Sequence, residues 1–253
     1  MSRYGTPTKD EVTRVASEAI SIFAKHKYSC CLVGGLACML FGNSRTPNDV
    51  DLVVLDSPYG QETLKRILID HPGSRFYLVD AKTPGATYKV LWYRLDEYLI
   101  SSYSRNRRSC KVDILIPGIM NIPDVPSNKV VLLKGLPAMP LLGLIMLKLQ
   151  AWEDHRNHNK NYMQVKQFTD VSDLEVLLPI AIRDGLSVDT ESWIPASFVT
   201  AARERVIRFL VSYPTQSQNW RRIGFSVPSS TIRTRRPVSD RHLVDMFERF
   251  NLR

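Results

Sequence analysis

Apolar residues recur at helical spacing from Val12 through Val15, Ala16, Ala19 and Ile20 to Phe23, directly after Thr8 and Glu11, which are spaced as a capping box. An amphipathic helix ending near Lys25 is predicted there. Ser29 to Val33 is a short apolar run stopped by Gly34 and Gly35, and Leu36 to Phe41 then reads as a short buried helix closed by Gly42. The pattern is strand, glycine turn, helix. Val50 to Leu55 is a second strand, and Gln61 to Asp70 a helix that stops at His71, Pro72 and Gly73. Three runs rich in β-branched and aromatic residues, Arg75 to Asp80, Tyr88 to Leu95 and Cys110 to Ile116, extend the same sheet.

Between the last two of these runs, Ser101 to Lys111 (SSYSRNRRSCK) is a polar, basic loop or hairpin tip. Pro117 to Asn128 holds three prolines and few bulky apolar residues, and marks a boundary. Beyond it the periodicity turns mainly helical, over Leu141 to Trp152, Val171 to Arg183, Phe198 to Ser212 and Arg241 to Phe250. The greasiest stretch, Gly135 to Leu147, is broken by Pro137 and Pro140 and too short to span a bilayer, so it reads as a buried core helix and no membrane partner is expected. The expected organisation is an α/β (α+β) domain over residues 1–128, followed by a mainly helical domain over 129–253 with a basic C-terminal end.

Composition alters this picture only at the level of partners. The 253 residues are 44% apolar and 23% charged, which excludes a collagen, a coiled coil or wholesale disorder. The net charge of +9 favours a polyanionic partner or a phosphate-rich substrate. That charge gathers at the end of the chain, where residues 201–253 hold eleven arginines and no lysine against Glu204, Asp240, Asp245 and Glu248. Cys30, Cys31, Cys38 and Cys110 have no zinc-ligand spacing and read as buried, reduced thiols. The polar start, MSRYGTPTKDEVTR, lacks the apolar core of a signal peptide, so a cytoplasmic or nuclear setting is expected.

The chemistry concentrates in Leu32 to Val54, LVGGLACMLFGNSRTPNDVDLVV. Asp49 and Asp51 are two apart at the start of a strand, so both carboxylates face one way while Val50 turns into the core. Two like-facing carboxylates repel unless a cation lies between them, which makes the pair a candidate Mg²⁺ site. Asp113, a single acid in the apolar run KVDIL, joins them if its strand is a neighbour. Three converging carboxylates suit two metals about 3.5–4 Å apart, bridging the attacking and leaving oxygens of a phosphoryl or nucleotidyl transfer. The Gly34–Gly35 turn offers close backbone approach and free N–H groups to a triphosphate.

Gly34, Gly35, Ala37, Gly42, Arg45, Thr46, Asp49 and Asp51 together resemble the first motif of the polymerase-beta-like nucleotidyltransferases. The pattern is most similar to the abortive-infection toxin (AbiEii-type) and minimal nucleotidyltransferase branch. A second block, LIMLKLQAW at 144–152 followed by TDVSDLEVLL at 169–178, resembles that branch's lysine-bearing helix and its DxxDL helix. The resemblance implies a nucleotidyltransferase-fold mixed sheet flanked by helices. It implies a Mg²⁺- or Mn²⁺-dependent, pyrophosphate-releasing enzyme that moves a nucleoside monophosphate from a nucleoside triphosphate to an acceptor. Asp49 and Asp51 would be metal ligands, with Asp113 a less conserved third. Gly34, Gly35, Arg45 and Thr46 would lie at the nucleotide, Arg45 near the phosphates or fixing the acid loop. Lys148 would hold the phosphates, Asp170 would be a second catalytic acid or the base, and Asp173 would orient a basic neighbour. The chain departs from the pattern at Pro47–Asn48 and at Thr169, where a basic residue is usual and Lys160 or Lys166 stands nearby.

The same residues leave other readings open. Asp170 is also placed to cap the helix predicted from Val171, and His155 and His158 read as part of a solvated loop. The basic run Arg105, Arg107, Arg108 and Lys111 and the arginines Arg221, Arg222, Arg233, Arg235 and Arg236 are either solvated surface or phosphate contacts. Trp220 and Phe225 offer stacking faces beside Arg221 and Arg222, as single-stranded nucleic acid requires. RNA, such as a tRNA end, is the expected acceptor; a protein side chain or small molecule is the alternative, and a catalytically silent nucleotide- or nucleic-acid-binding module is the reading from another class.

Overall fold

The computed structural model describes residues 6–83, 85–95 and 108–227. The basic segment 101–107, the helix expected over 241–250 and Arg233, Arg235 and Arg236 lie outside the described residues. The chain divides into two compact units between Pro140 and Leu141.

The first unit opens with helix α1 (Lys9–Lys25), whose capping box is present as expected. Thr8 Oγ1 accepts from the Glu11 amide at 3.2 Å and the Glu11 carboxylate accepts from the Thr8 amide at 2.7 Å, satisfying two amides that the helix leaves open. Val12, Val15, Ala16, Ala19, Ile22 and Phe23 form its buried stripe, with Ile22 where Ile20 was expected.

A seven-stranded mixed sheet follows, in the order β3 (Phe76–Asp80), β4 (Lys89–Arg94), β5 (Ser109–Leu115), β2 (Asp49–Val54), β1 (Cys30–Val33), β7 (Leu136–Ala138) and β6 (Val131–Leu133). Helices α2 (Gly34–Phe41) and α3 (Gln61–Ile69) provide the connections around β1 and β2. The inner strand β1 is buried along its whole length, as CCLV suggests. In β5 the burial alternates residue by residue, with Cys110, Val112 and Ile114 buried and Lys111 and Asp113 half-exposed on the other face.

Elements at both ends of this unit differ from the sequence reading. The apolar stretch from Gly135 is not helical throughout: Leu136–Ala138 pairs with β1 and β6, and the helix begins only at Leu141, after Pro140. Pro137 is the middle residue of β7, and Pro140 directly precedes α4, where the N–H it lacks is one the helix would leave open. Helix α2 takes in Gly34 and Gly35, which form its first turn instead of a separate loop.

The second unit is helical: α4 (Leu141–Arg156), α5 (Asn161–Gln164), α6 (Lys166–Arg183), α7 (Ala196–Ser212) and α8 (Ser217–Arg222). Its aromatic core stacks edge-on, Trp152 to Phe209 at 4.9 Å, Phe209 to Trp220 at 5.9 Å and Trp220 to Phe225 at 5.3 Å between ring centroids. Trp220 and Phe225 are 0% and 1% exposed, so they hold this unit together and present no stacking face to a base. Arg221 and Arg222 remain on the surface. Helix α6 starts at Lys166, five residues before the expected Val171, which puts Asp170 in the helix interior and removes its capping role. Among the described residues, no helix is long and apolar enough to cross a membrane.

Candidate active site

Strands β2 and β5 run parallel, in a register that sets Asp49 opposite Lys111 and Asp51 opposite Asp113. Alternation along each strand then places these four side chains on one face, while Val50, Val112 and Leu52 are fully buried on the other. Asp49, Asp51 and Asp113 each direct a carboxylate oxygen so that the three atoms lie within 4.8 Å of one another. All three residues are half-buried, open enough for an ion to enter. Three hard oxygen donors converging at this range can hold a divalent cation of the Mg²⁺ or Mn²⁺ type.

The field of the cluster is visible in its neighbours. Burial pushes the Cys110 thiol up to about 12, and the negative charges of Asp49, Glu11 and Asp51 add to the effect. Burial also works against the charged form of Lys111, but the Asp113 carboxylate 2.6 Å away, with Asp49 and Asp51 behind it, outweighs it and raises the lysine above its ordinary value.

The glycine pair explains why this strand end is accessible. The β1–β2 register sets Val33 opposite Asp51, and Gly34 follows with φ +62° directly beneath that acid. A Cβ at Gly34 would lie 1.8 Å from Asp51 Oδ2, so no other residue fits without moving the carboxylate. At Gly35 a Cβ would meet Arg45 Nη2 at 3.0 Å and Pro47 Cβ at 3.1 Å. The Arg45 guanidinium and Pro47 therefore both lie against the first turn of α2. Thr46, between them in sequence, is exposed.

In the helical unit, Lys148 on α4 meets the acids of α6. Its Nζ lies 2.8 Å from Asp173 Oδ2 and 3.3 Å from Asp170 Oδ1, with the three residues 8%, 0% and 3% exposed. The other oxygen of Asp170 is 2.6 Å from His155 Nδ1. A buried charge needs partners of this kind, and Lys148 finds them in Asp173 and Asp170. His155 was missed as a partner; it lies seven positions after Lys148 on the same helix, a spacing that returns to the same face.

The basic residues expected at a nucleic-acid surface are partly committed elsewhere. Arg108 forms a two-pronged pair with Glu11, both contacts 2.7 Å, and Lys111 pairs with Asp113. Three arginines outside that expectation are paired as well: Arg205 and Arg208 converge on Glu153, and Arg203 pairs with Asp189 at 3.2 Å.

No family model matches the chain, and no curated protein matches it. Solved structures do. An antigenic nucleotidyltransferase-like protein from Paracoccidioides brasiliensis aligns over 90% of this chain and 99% of its own, with 14% identity and a TM-score of 0.61. An H. pylori protein provisionally called a nucleotidyltransferase aligns over 96% of this chain and 97% of its own, with 13% identity and a TM-score of 0.50. At these identities the likeness is one of fold. The chain thus has a nucleotidyltransferase fold, remotely similar to several proteins of that kind, and carries an acidic triad whose geometry is consistent with two-metal catalysis.

Proposed function

We propose that this chain is a Mg²⁺-dependent nucleotidyltransferase. It joins an acceptor hydroxyl to the α-phosphorus of a nucleoside triphosphate, breaks the bond from that phosphorus to the bridging oxygen of the β-phosphate, and releases pyrophosphate and a proton. The observation that carries the reading is the convergence of Asp49, Asp51 and Asp113 on one face of β2 and β5, over a glycine that leaves room for them.

When bound, divalent ions would supply charge neutralisation at the attacking and leaving oxygens. The chain's own residues do the positioning. Asp49, Asp51 and Asp113 would hold the ions; Gly34 and Gly35 would let the polyphosphate approach the backbone; Arg45 would brace the loop that presents Thr46 and Asp49. We assign Lys148 to the phosphates and Asp170 as the second acid, following the motif resemblance that also suggests the toxin and minimal branch. The buried pairing of Lys148 with Asp170 and Asp173 supports a lysine held in one orientation.

RNA, with a tRNA end as the first candidate, is the acceptor class that the +9 charge favours. Exposed Arg221 and Arg222 support it, although the buried Trp220 contributes no stacking. The test incubates the chain with each α-labelled nucleoside triphosphate, Mg²⁺ or Mn²⁺ and total RNA, beside Asp49→Ala/Asp51→Ala. Label on RNA that vanishes in the double variant is the expected result. Label on protein or on a small molecule replaces the acceptor, and no label with any nucleotide, while RNA binding persists, favours the silent binding module.

A further inference from the structure

Lys111 shares a strand face with the carboxylates and belongs to no motif. It sits opposite Asp49 in the β2–β5 register and two residues before Asp113, so its side chain rises on the same face as all three acids. Nζ donates to Asp113 Oδ2 at 2.6 Å, and the two side chains are 37% and 34% exposed. In sequence it belongs to a basic run that reads as solvated surface or phosphate contacts; in the fold it pairs with Asp113, one of the three acids.

The formal charges of Asp49, Asp51, Asp113 and Lys111 sum to −2, which one divalent ion neutralises. A further ion at Asp113 would share that carboxylate with an ammonium and be repelled by it. We propose that Lys111 is the built-in counter-ion of the cluster, holding a cation position on Asp113 that a divalent metal takes only by displacing it. The inference rests on the metal-binding reading of the triad. The displaced ammonium stays tethered by a flexible four-carbon stem, beside a site where an incoming polyphosphate brings negative charge.

The experiment is calorimetric titration of the full-length chain with Mn²⁺ alone, comparing wild type, Lys111→Met, Asp113→Asn and the double variant, each checked for folding by circular dichroism. If the lysine competes for Asp113, Lys111→Met binds Mn²⁺ about tenfold more tightly than wild type. In the Asp113→Asn background the same substitution changes affinity by less than about threefold, because the contested ligand is gone. Lys111→Gln provides the same comparison if the Met variant does not fold. An equal gain in both backgrounds reduces Lys111 to a general field and overturns the exchange, as does unchanged or weaker binding in Lys111→Met. Absence of any Mn²⁺ binding by folded wild type and Lys111→Met alike removes the metal reading itself, a result separable from a finite affinity that the substitution leaves unmoved.

Discussion

Gly34 is the residue on which the acid cluster depends without contributing an atom to it. Its left-handed backbone costs a side-chain-bearing residue on the order of 1–2 kcal/mol, and any Cβ there strikes Asp51 Oδ2. Gly34→Ala is expected to weaken Mn²⁺ binding at least about tenfold. Gly73→Ala, with φ +74° but nothing within 4 Å, pays only the backbone strain and leaves metal affinity unchanged; titration of both variants separates the two effects. The thiols make a second residue-scale prediction. Cys30, Cys31 and Cys110 are each held up to about 12 by burial, against an ordinary value of 9.0. Their folded values lie above the unfolded ones, so the stability tied to neutral thiols is complete below pH 9 and is lost as pH rises towards 12. Thermal melts across that window should show falling midpoints, and iodoacetamide at pH 8 should label none of the four buried cysteines until the chain is unfolded.

At the scale of elements, α1 and α6 show how far local pattern carries. The α1 capping box is a three-residue relation, readable because both partners lie in one turn, and Thr8→Ala should cost about 1 kcal/mol in chemical denaturation. Helix α6 was located from its apolar positions but begun too late, since its first turn, Lys166 to Thr169, carries little apolar signal. The pairing of α4 with α6 depends on side chains from two helices. Removing Lys148 takes the ammonium away from two buried carboxylates and leaves His155 as the partner of Asp170, so Lys148→Met should lose about 3–5 kcal/mol. A loss well under 1 kcal/mol in urea unfolding would show that the pair is not structurally required.

For the molecule as a whole, net charge and the disposition of that charge point in different directions. Of the arginines after residue 200, Arg203, Arg205 and Arg208 serve internal ion pairs of the helical unit, whereas Arg221 and Arg222 stay exposed. If the proposed RNA acceptor is correct, neutralising the latter two together should weaken its binding and lower the slope of log affinity against log salt by about 1.5–2. Arg205→Ala should instead lower the melting temperature with little change in that slope. Filter binding over a salt series, set beside thermal melts, distinguishes surface charge from structural charge.

Strand alternation alone put Asp49 and Asp51 on one face, and the glycines before them announced the turn that makes room, because both relations are local and periodic. The sequence likewise determined the order of elements from α1 to β5, whereas β6 and β7 were hidden in a stretch read as boundary and helix. Whether Asp113 joins the pair depends on β5 lying parallel beside β2, a contact between strands about sixty residues apart that no local period encodes. The same register turned Lys111 from a surface charge into the neighbour of three acids. Packing likewise decided the fate of Trp220, since an aromatic next to arginines has one pattern in sequence whether it faces solvent or fills a core.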